Sequence, residues 1–344
     1  MKVVIIYDAG SEEWSAQDVA AVVANVHDVR DVLRSHGHDV ELVAVKLGDF
    51  RWLTRCRKAD LVFNLCEGIN GHARYEDFVL GALELTGTPF TGPRAWPITV
   101  CHRKHVANTL LASEGVPVPA FLLARGNKIP ANFPLPAIVK PAAEDASVGI
   151  DAGAVCSTRR ALRSRVSQML EHFDEVIVQE YVAGREFNVG FVGTTMLPIS
   201  EIDFSEMPEG SWPIVTYAAK WAPDHPEFAG TQPVCPARIP ADLARRLGRV
   251  ARQSWEMLAG AEGYGRVDMR VNADGQPYVI EVNPCPDLSA DAGLARMGRA
   301  HGWEYGDLIM QIVEEALGRS RTTRAADDLV APPVRIVLPG SIPA

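Results

Sequence analysis

Two neighbouring runs of this chain set oxygen donors and guanidinium groups in regular alternation with apolar residues. Gly265-Arg266-Val267-Asp268-Met269-Arg270 is followed by the turn Ala273-Asp274-Gly275 and then by Tyr278-Val279-Ile280-Glu281-Val282-Asn283-Pro284. Alternation on both sides of such a turn predicts a β-hairpin. Side chains alternate across a strand, so Arg266, Asp268 and Arg270 share one face, and Glu281 and Asn283 share a face of the partner strand. An aspartate, a glutamate and an asparagine oxygen held together are hard ligands suited to Mg²⁺. An adjacent arginine is suited to an oxyanion or a phosphate. The same residues would also serve as the solvated face of a half-exposed hairpin. The rest of the chain decides between the two.

The elements that must position this hairpin follow from pattern and length. The 344 residues, 47% hydrophobic, exceed one simple core and fit two or three folded domains. A net charge of −9 argues against general nucleic-acid binding, which needs a basic face, but leaves room for a local cationic pocket. The six cysteines, Cys56, Cys66, Cys101, Cys156, Cys235 and Cys285, form no CxxC pair and read as reduced thiols. The opening Met1-Lys2-Val3-Val4-Ile5-Ile6-Tyr7 is too short for a signal segment, and no apolar run approaches the roughly 20 residues that cross a bilayer. The expectation is a soluble cytoplasmic protein with no membrane partner.

Val3 to Tyr7 reads as a buried strand, followed by the polar loop Asp8 to Glu13 and a helix with Val19, Val22, Val26, Val29 and Leu33 on one face. Gly37 should stop that helix, with further strands at Val40–Val45 and Leu61–Leu65. This β-α-β order implies a parallel sheet whose strand ends face a ligand. Later, Pro136-Ala137-Ile138-Val139-Lys140-Pro141 reads as a strand carrying a lysine at its end, before the small-residue turn Glu144 to Ile150. Val176–Val182 and Phe187–Val192 are strands joined through Ala183-Gly184-Arg185-Glu186. The polar, proline-rich stretch from Asp203 to Pro236 is long enough to be a lid. One amphipathic helix (Leu243, Leu247, Val250, Ser254, Leu258) precedes the hairpin and another (Leu308, Ile309, Ile312, Val313, Ala316) follows it. The chain beyond Arg319, with Pro332, Pro333, Pro339 and Pro343, reads as a loose extension.

In order, the chain thus presents Lys104 at a helix start, Gly115-Val116-Pro117-Val118-Pro119, Lys140, Glu186, Tyr217-Ala218-Ala219-Lys220-Trp221 and finally the hairpin. This ordered set resembles the ATP-grasp ligases, and among them the D-alanine–D-alanine ligases, from the Lys2 strand to the Leu317 helix. The resemblance implies an α/β ATP-grasp fold in three parts. These are an N-terminal Rossmann-like domain with a parallel sheet (1–95), a central α+β ATP-binding domain (96–186) and a C-terminal α+β catalytic domain (187–319). The last carries the lid (203–236) and is followed by the tail (320–344).

It also implies a reaction in which ATP converts a carboxylate to an acyl phosphate and an amine attacks it. By matching position, Lys104 and Lys140 would hold the ATP phosphates, with Ser147 of the small-residue turn beside them. Gln179, Glu180, Tyr181 and Val182 would hold adenine, and Glu186 the ribose. Asp268, Glu281 and Asn283 would bind two Mg²⁺ ions, with Mn²⁺ as the alternative. Arg266 would stabilise the acyl phosphate and the tetrahedral oxyanion, and Lys220 would reach the γ-phosphate when the lid closes. Glu13, with Glu12 as the near alternative, would hold the first substrate's ammonium.

The substrate side departs from that pattern. The family's Gly-Ser-Ser turn is here Asp145-Ala146-Ser147, and its lid tyrosine is Trp221. Where it keeps a glycine and later a serine, this chain has Asp287 and Ala292. The implied enzyme is a carboxylate–amine ligase for two amino acids or amino-acid-like molecules with a changed acceptor. Asp287, Arg296 or Arg299 would read that acceptor, although Asp287 equally suits a helix N-cap. An authentic D-alanine–D-alanine ligase and an ATP-binding module without catalysis are the alternatives, and a homodimer is left open.

Overall fold

The computed structural model describes residues 1–8, 10, 16–126 and 128–327. The expected N-terminal strands are β1 (Lys2–Asp8), β2 (Asp39–Val45) and β3 (Leu61–Leu65), with α1 (Ala16–Ser35) and α2 (Arg51–Cys56) between them. They form a parallel sheet in the order β2-β1-β3. β1 lies in the middle, which explains its unbroken run of buried Val3, Val4, Ile5 and Ile6. Gly37 has φ +77° just past α1, the left-handed conformation that a glycine stop supplies. Helices α3 (Glu76–Thr86), α4 (Ala95–Cys101) and α5 (Lys104–Ser113) lead out of this layer.

A second sheet is antiparallel: β4 (Phe121–Ala124), β5 (Ala137–Pro141), β6 (Val155–Cys156) and β7 (Val176–Glu180), in the order β4-β7-β5-β6. Its helix, α6 (Arg159–Met169), buries Leu162, Val166 and Met169 against it. The third sheet contains β8 (Arg185–Val192), β9 (Thr195–Met196), β10 (Ser200–Asp203), β11 (Gln232–Val234), β12 (Tyr264–Val271) and β13 (Pro277–Asn283). Its order is β11-β10-β8-β12-β13, with β9 beside β8. Two short helices, α7 (Tyr217–Trp221) and α8 (Pro226–Ala229), occupy the stretch expected to be a lid, which is therefore folded rather than a bare loop. The chain then adds α9 (Ala241–Ala259), α10 (Gly293–His301) and α11 (Tyr305–Asp327). Among the described residues no helix is long and apolar enough to cross a membrane.

Two boundaries differ from the sequence reading. Glu186 belongs to β8 rather than to the preceding turn, because it pairs across to both Ile202 and Arg270. The last helix runs to Asp327, past Arg319, whose guanidinium donates to the carbonyls of Phe90 and Gly92. The four prolines of the expected tail lie outside the described residues.

One core ties β1 and α1 to α10 and α11. Leu308, Ile309, Ile312 and Val313 of α11 pack with Val3 and Ile5 of β1, Val29 and Leu33 of α1, and Leu294 and Met297 of α10. Behind the hairpin, α9 lays Leu247, Ala251, Trp255 and Leu258 on Val267, Met269, Val279 and Val282. A Cβ at Gly265 would sit 2.2 Å from the Trp255 ring, so a glycine is required where this indole meets β12. Gly265→Ala should therefore destabilise the protein by about 1–3 kcal/mol or more, through overpacking. A urea melt that matches the parent protein would refute this account of the contact.

Candidate functional site

Strand pairing alone fixes the centre of the site. Asp268 stands opposite Glu281, and Arg266 opposite Asn283. The register slips between Asp268 and Met269, so that Met269 faces Val279 and one extra residue enters β13. This bulge lets Val279 and Val282, three residues apart, both reach the core while Glu281 and Asn283 keep to the other face. The expected shared face is thus present by strict alternation, with the bulge at Ile280 just beyond it.

Each carboxylate on that face is held by a cation. Arg266 donates Nε and Nη2 to the two oxygens of Asp268 at 2.6 and 2.8 Å, and Asn188 of β8 adds Nδ2 at 2.7 Å. Lys104 Nζ lies 2.6 Å from Glu281 Oε1 and 2.9 Å from Asp145 Oδ1. Burial alone would lower the Lys104 pKa, but the Glu281 and Asp145 carboxylates override it and raise it. Asn283 Oδ1 accepts from the Cys285 amide at 2.9 Å. Among the described residues no group of three or more His, Cys, Asp or Glu side chains is arranged to hold a metal. The candidate set of two carboxylates and one amide is instead charge-balanced by Arg266 and Lys104.

Lys140, at the end of β5, points to Gln179 of β7, Nζ to Oε1 3.1 Å. Burial lowers its pKa to about 8, with the Glu281 charge opposing the shift. Gln179 is buried, and its Nε2 has no hydrogen-bond partner among the described residues. Glu180 and Tyr181 are tied by their amides to Ala120 and Pro136, and Val182 is buried beside them. Glu186 is 8% exposed and accepts from Arg270 Nη1 at 3.1 Å. Arg270 also reaches Tyr181 Oη and the carbonyls of Gly184 and Pro213. Alternation put Arg270 on this face, but its part in linking Glu186 to Tyr181 was not read from the sequence.

The segment carrying α7 is closed onto the small-residue turn. Ser147 Oγ donates to Val215 O at 3.0 Å, Tyr217 N to Ile150 O at 2.8 Å, and Trp221 Nε1 to Ala146 O at 3.0 Å. Ala146 and Ser147 have φ of +54° and +62°, a strained conformation for non-glycine residues, and it is the Ala146 carbonyl and the Ser147 hydroxyl that meet the α7 segment. The indole therefore ties the α7 segment to the turn through a backbone carbonyl. Lys220, although solvent reaches its side chain, is desolvated by the cleft and repelled by Arg266, and both lower its pKa.

Four side chains at the cleft escaped the sequence reading: Asn188, His102, Glu76 and Glu67. His102 Nε2 lies 3.0 Å from Asp145 Oδ2 and 3.2 Å from Glu76 Oε2. Glu67 follows β3 and, although solvent reaches its side chain, desolvation by the cleft and the nearby Glu76 and Asp287 carboxylates raise its pKa. Only its place at a parallel strand's C-terminal end could have flagged it. Glu12 and Glu13 lie outside the described residues.

On the acceptor side, Asp287 Oδ1 accepts from the amide and hydroxyl of Ser289, at 2.8 and 2.6 Å. It shapes a turn and does not cap α10, whose N-cap is Ala292. Arg299 donates to Ala290 O and Arg296 to Asp291 O, while Arg296 Nε is buried without a partner among the described residues. A cavity of about 870 Å³ between α9 and Met196–Ile199 contains none of the predicted site residues.

Residues 113–314 match the family model described as the C-terminus of D-Ala–D-Ala ligase. A D-alanine–D-alanine ligase of Bordetella avium is 30% identical over 337 residues, covering 95% of this chain and 98% of that one. An uncharacterized protein, y4sG, of Sinorhizobium fredii is 31% identical over 264 residues, covering 76% and 75%. The crystal structure of a D-alanine–D-alanine ligase from Bacillus anthracis complexed with ATP superposes with a TM-score of 0.74 at 22% identity. It covers 94% of this chain and 99% of that one, so the two share a fold.

The Trp221–Ala146 tie makes its own prediction. Trp221→Phe removes one donor and should cost about 1 kcal/mol of closure. Hydrogen exchange across 214–222 should quicken severalfold with the rest of the chain unchanged, and unaltered exchange there would mean that the indole does not hold the lid.

Proposed function

The chain belongs to the D-alanine–D-alanine ligase family and is an ATP-grasp ligase that forms a C–N bond, and on that premise we propose how its residues divide the work. The observation that carries the proposal is the convergence of Lys104, Lys140, Lys220 and Arg266, from four different elements, around Asp268, Glu281 and Asn283. Such a cleft suits a polyphosphate brought with its counter-ions. In this reading Lys104 and Lys140 hold the ATP phosphates, and Ser147 sits in the turn beside them. Gln179 to Val182 line the adenine side, with Gln179 Nε2 as an open donor. Glu186, kept in place by Arg270, faces the ribose.

Asp268, Glu281 and Asn283 are hard oxygen donors paired across two strands, and they fit Mg²⁺, which takes few protein ligands and shares phosphate oxygens. Bound there, Mg²⁺ would offset phosphate charge and polarise the γ-phosphoryl group. Arg266 is aligned by its two bonds to Asp268, and among the described residues nothing bonds its Nη1, which is left for the oxyanion formed when an amine attacks the acyl phosphate. Lys220 closes from the lid, which also shields the acyl phosphate from water.

The two substrates are amino acids or amino-acid-like molecules, and the acceptor differs from D-alanine. Ala146 and Ala292 offer no hydroxyl. Asp287 is spent partly on Ser289, and Arg296, which with Arg266 borders the start of α10, is a cation that could take a carboxylate. Two lost hydrogen bonds to charged groups, each worth on the order of 1.5–3 kcal/mol, predict at least a roughly hundredfold weaker reaction with D-alanine alone. Phosphate release from ATP, measured with D-alanine and with panels of amino acids and diamines in both enantiomers, tests this. Turnover of D-alanine alone at ordinary ligase rates would make the chain an authentic D-alanine–D-alanine ligase.

Glu281→Gln should abolish phosphate release while the melting temperature stays within a few degrees of the parent. Retained activity would remove the metal assignment. Lys140 adds a pH signature. Its lowered pKa of about 8 leaves it half-charged there in the free protein, and phosphate should restore the proton. Nucleotide binding should thus take up protons near pH 8 and not well below it, as read by calorimetry in buffers of different ionisation enthalpy. Lys140→Gln should lose that uptake, and an uptake that survives in it would reassign the proton.

A further inference from the structure

One cluster beside the cleft has no part in the reading above. His102 is the first of the two residues between α4 and α5, and its Nε2 is shared by Glu76 Oε2 of α3 and Asp145 Oδ2 of the small-residue turn. One ring nitrogen can bond two carboxylates in this way only as a donor, so Nε2 carries its proton. Burial alone would lower the imidazole pKa, but the bonds to Asp145 and then Glu76 push it to about 10, and the ring is an imidazolium at neutral pH. Glu76 is 3% exposed, and its Oε1 has no hydrogen-bond partner among the described residues, so the carboxylate depends on His102 for its compensating charge.

We propose that His102 is a positioning residue for this reaction: anchored on Glu76, it fixes Asp145, and Asp145 in turn fixes the Lys104 ammonium at the nucleotide phosphates. Lysine is a point charge on a flexible stem, so its direction must come from a partner. Lys104 has two, Asp145 and Glu281. A Glu281 that serves as a metal ligand leaves Asp145 as the remaining anchor. Asp145 sits at the start of a strained turn, and without His102 it would be free to follow Lys104 or to turn to solvent. The chain Glu76–His102–Asp145–Lys104 therefore runs from the N-terminal layer to the phosphate site through contacts of 3.2, 3.0 and 2.9 Å.

This inference rests on Lys104 binding phosphate, and the test separates the two. Affinity for a non-hydrolysable ATP analogue with Mg²⁺ is measured by calorimetry on the full chain. His102→Gln, which keeps a donor but no charge, should weaken binding about tenfold. In turnover it should raise KM for ATP more than it lowers kcat. His102→Lys, which returns the charge, should recover part of the loss. Unchanged affinity in His102→Gln overturns the proposal, as does an equal loss in both variants, which would mark packing rather than charge. If Lys104→Ala also leaves affinity unchanged, the phosphate site itself is misassigned. If Lys104→Ala weakens binding and His102→Gln does not, only the role of His102 falls. Should His102→Gln not fold, Asp145→Asn, whose side chain is 35% exposed, carries the test. A comparable loss supports the proposal and retained affinity overturns it.

Discussion

A buried ammonium between two carboxylates sets the terms for the rest of this structure. Lys104 is 8% exposed, and a charge so placed is tolerated only with partners close and well directed. Its partners come from distant parts of the chain: Asp145 lies 41 residues away and Glu281 177. The start of α5, the turn after β5 and the end of β13 must therefore meet at one point. Three other cations of the cleft are paired in the same way, whereas Lys140 meets only the Gln179 amide. Arg266 is matched by Asp268, Arg270 by Glu186 and His102 by Asp145 with Glu76.

Apolar packing makes that meeting possible. The hairpin is pinned from behind by α9, where the Trp255 ring presses on β12 at Gly265, so its polar face has a fixed height. The bulge in β13 then decides which oxygens reach the cleft. Had the strand kept a strict two-residue period, Val279 and Val282 could not both be buried while Glu281 stood opposite Asp268. Core and site are settled by the same extra residue.

Much of this was legible in the residues. Alternation named the hairpin, β-α-β order named the parallel sheet, and composition marked the segment around Tyr217 as something more than a connector. The resemblance to ATP-grasp ligases, carried by Lys104, Lys140, Glu186, Lys220 and the hairpin, agrees with the family to which the chain belongs. What was not legible depends on contacts across sheets. Nothing local to His102 says that a carboxylate from α3 will bury itself against it. Glu186 looked like a turn residue because the pairing that draws it into β8 comes from Ile202 and Arg270, far along the chain. The replacement of a hydroxyl tie by the Trp221 indole was invisible for the same reason, since its acceptor is a backbone carbonyl and not a side chain.

The packing of α11 on β1 and α1 has a further consequence, for movement. Because α11 shares one core with the first sheet, α1 and α10, these elements behave as a single block. Sliding one past the other would expose Ile309, Ile312 and Val313 together with Val3 and Ile5, a cost no hinge could meet. The second sheet keeps a core of its own, built from α6, β5 and β7. That single block gives the cleft a frame made of β1, α1, α10 and α11. The second sheet, packed on a core of its own, is the part built independently of that frame.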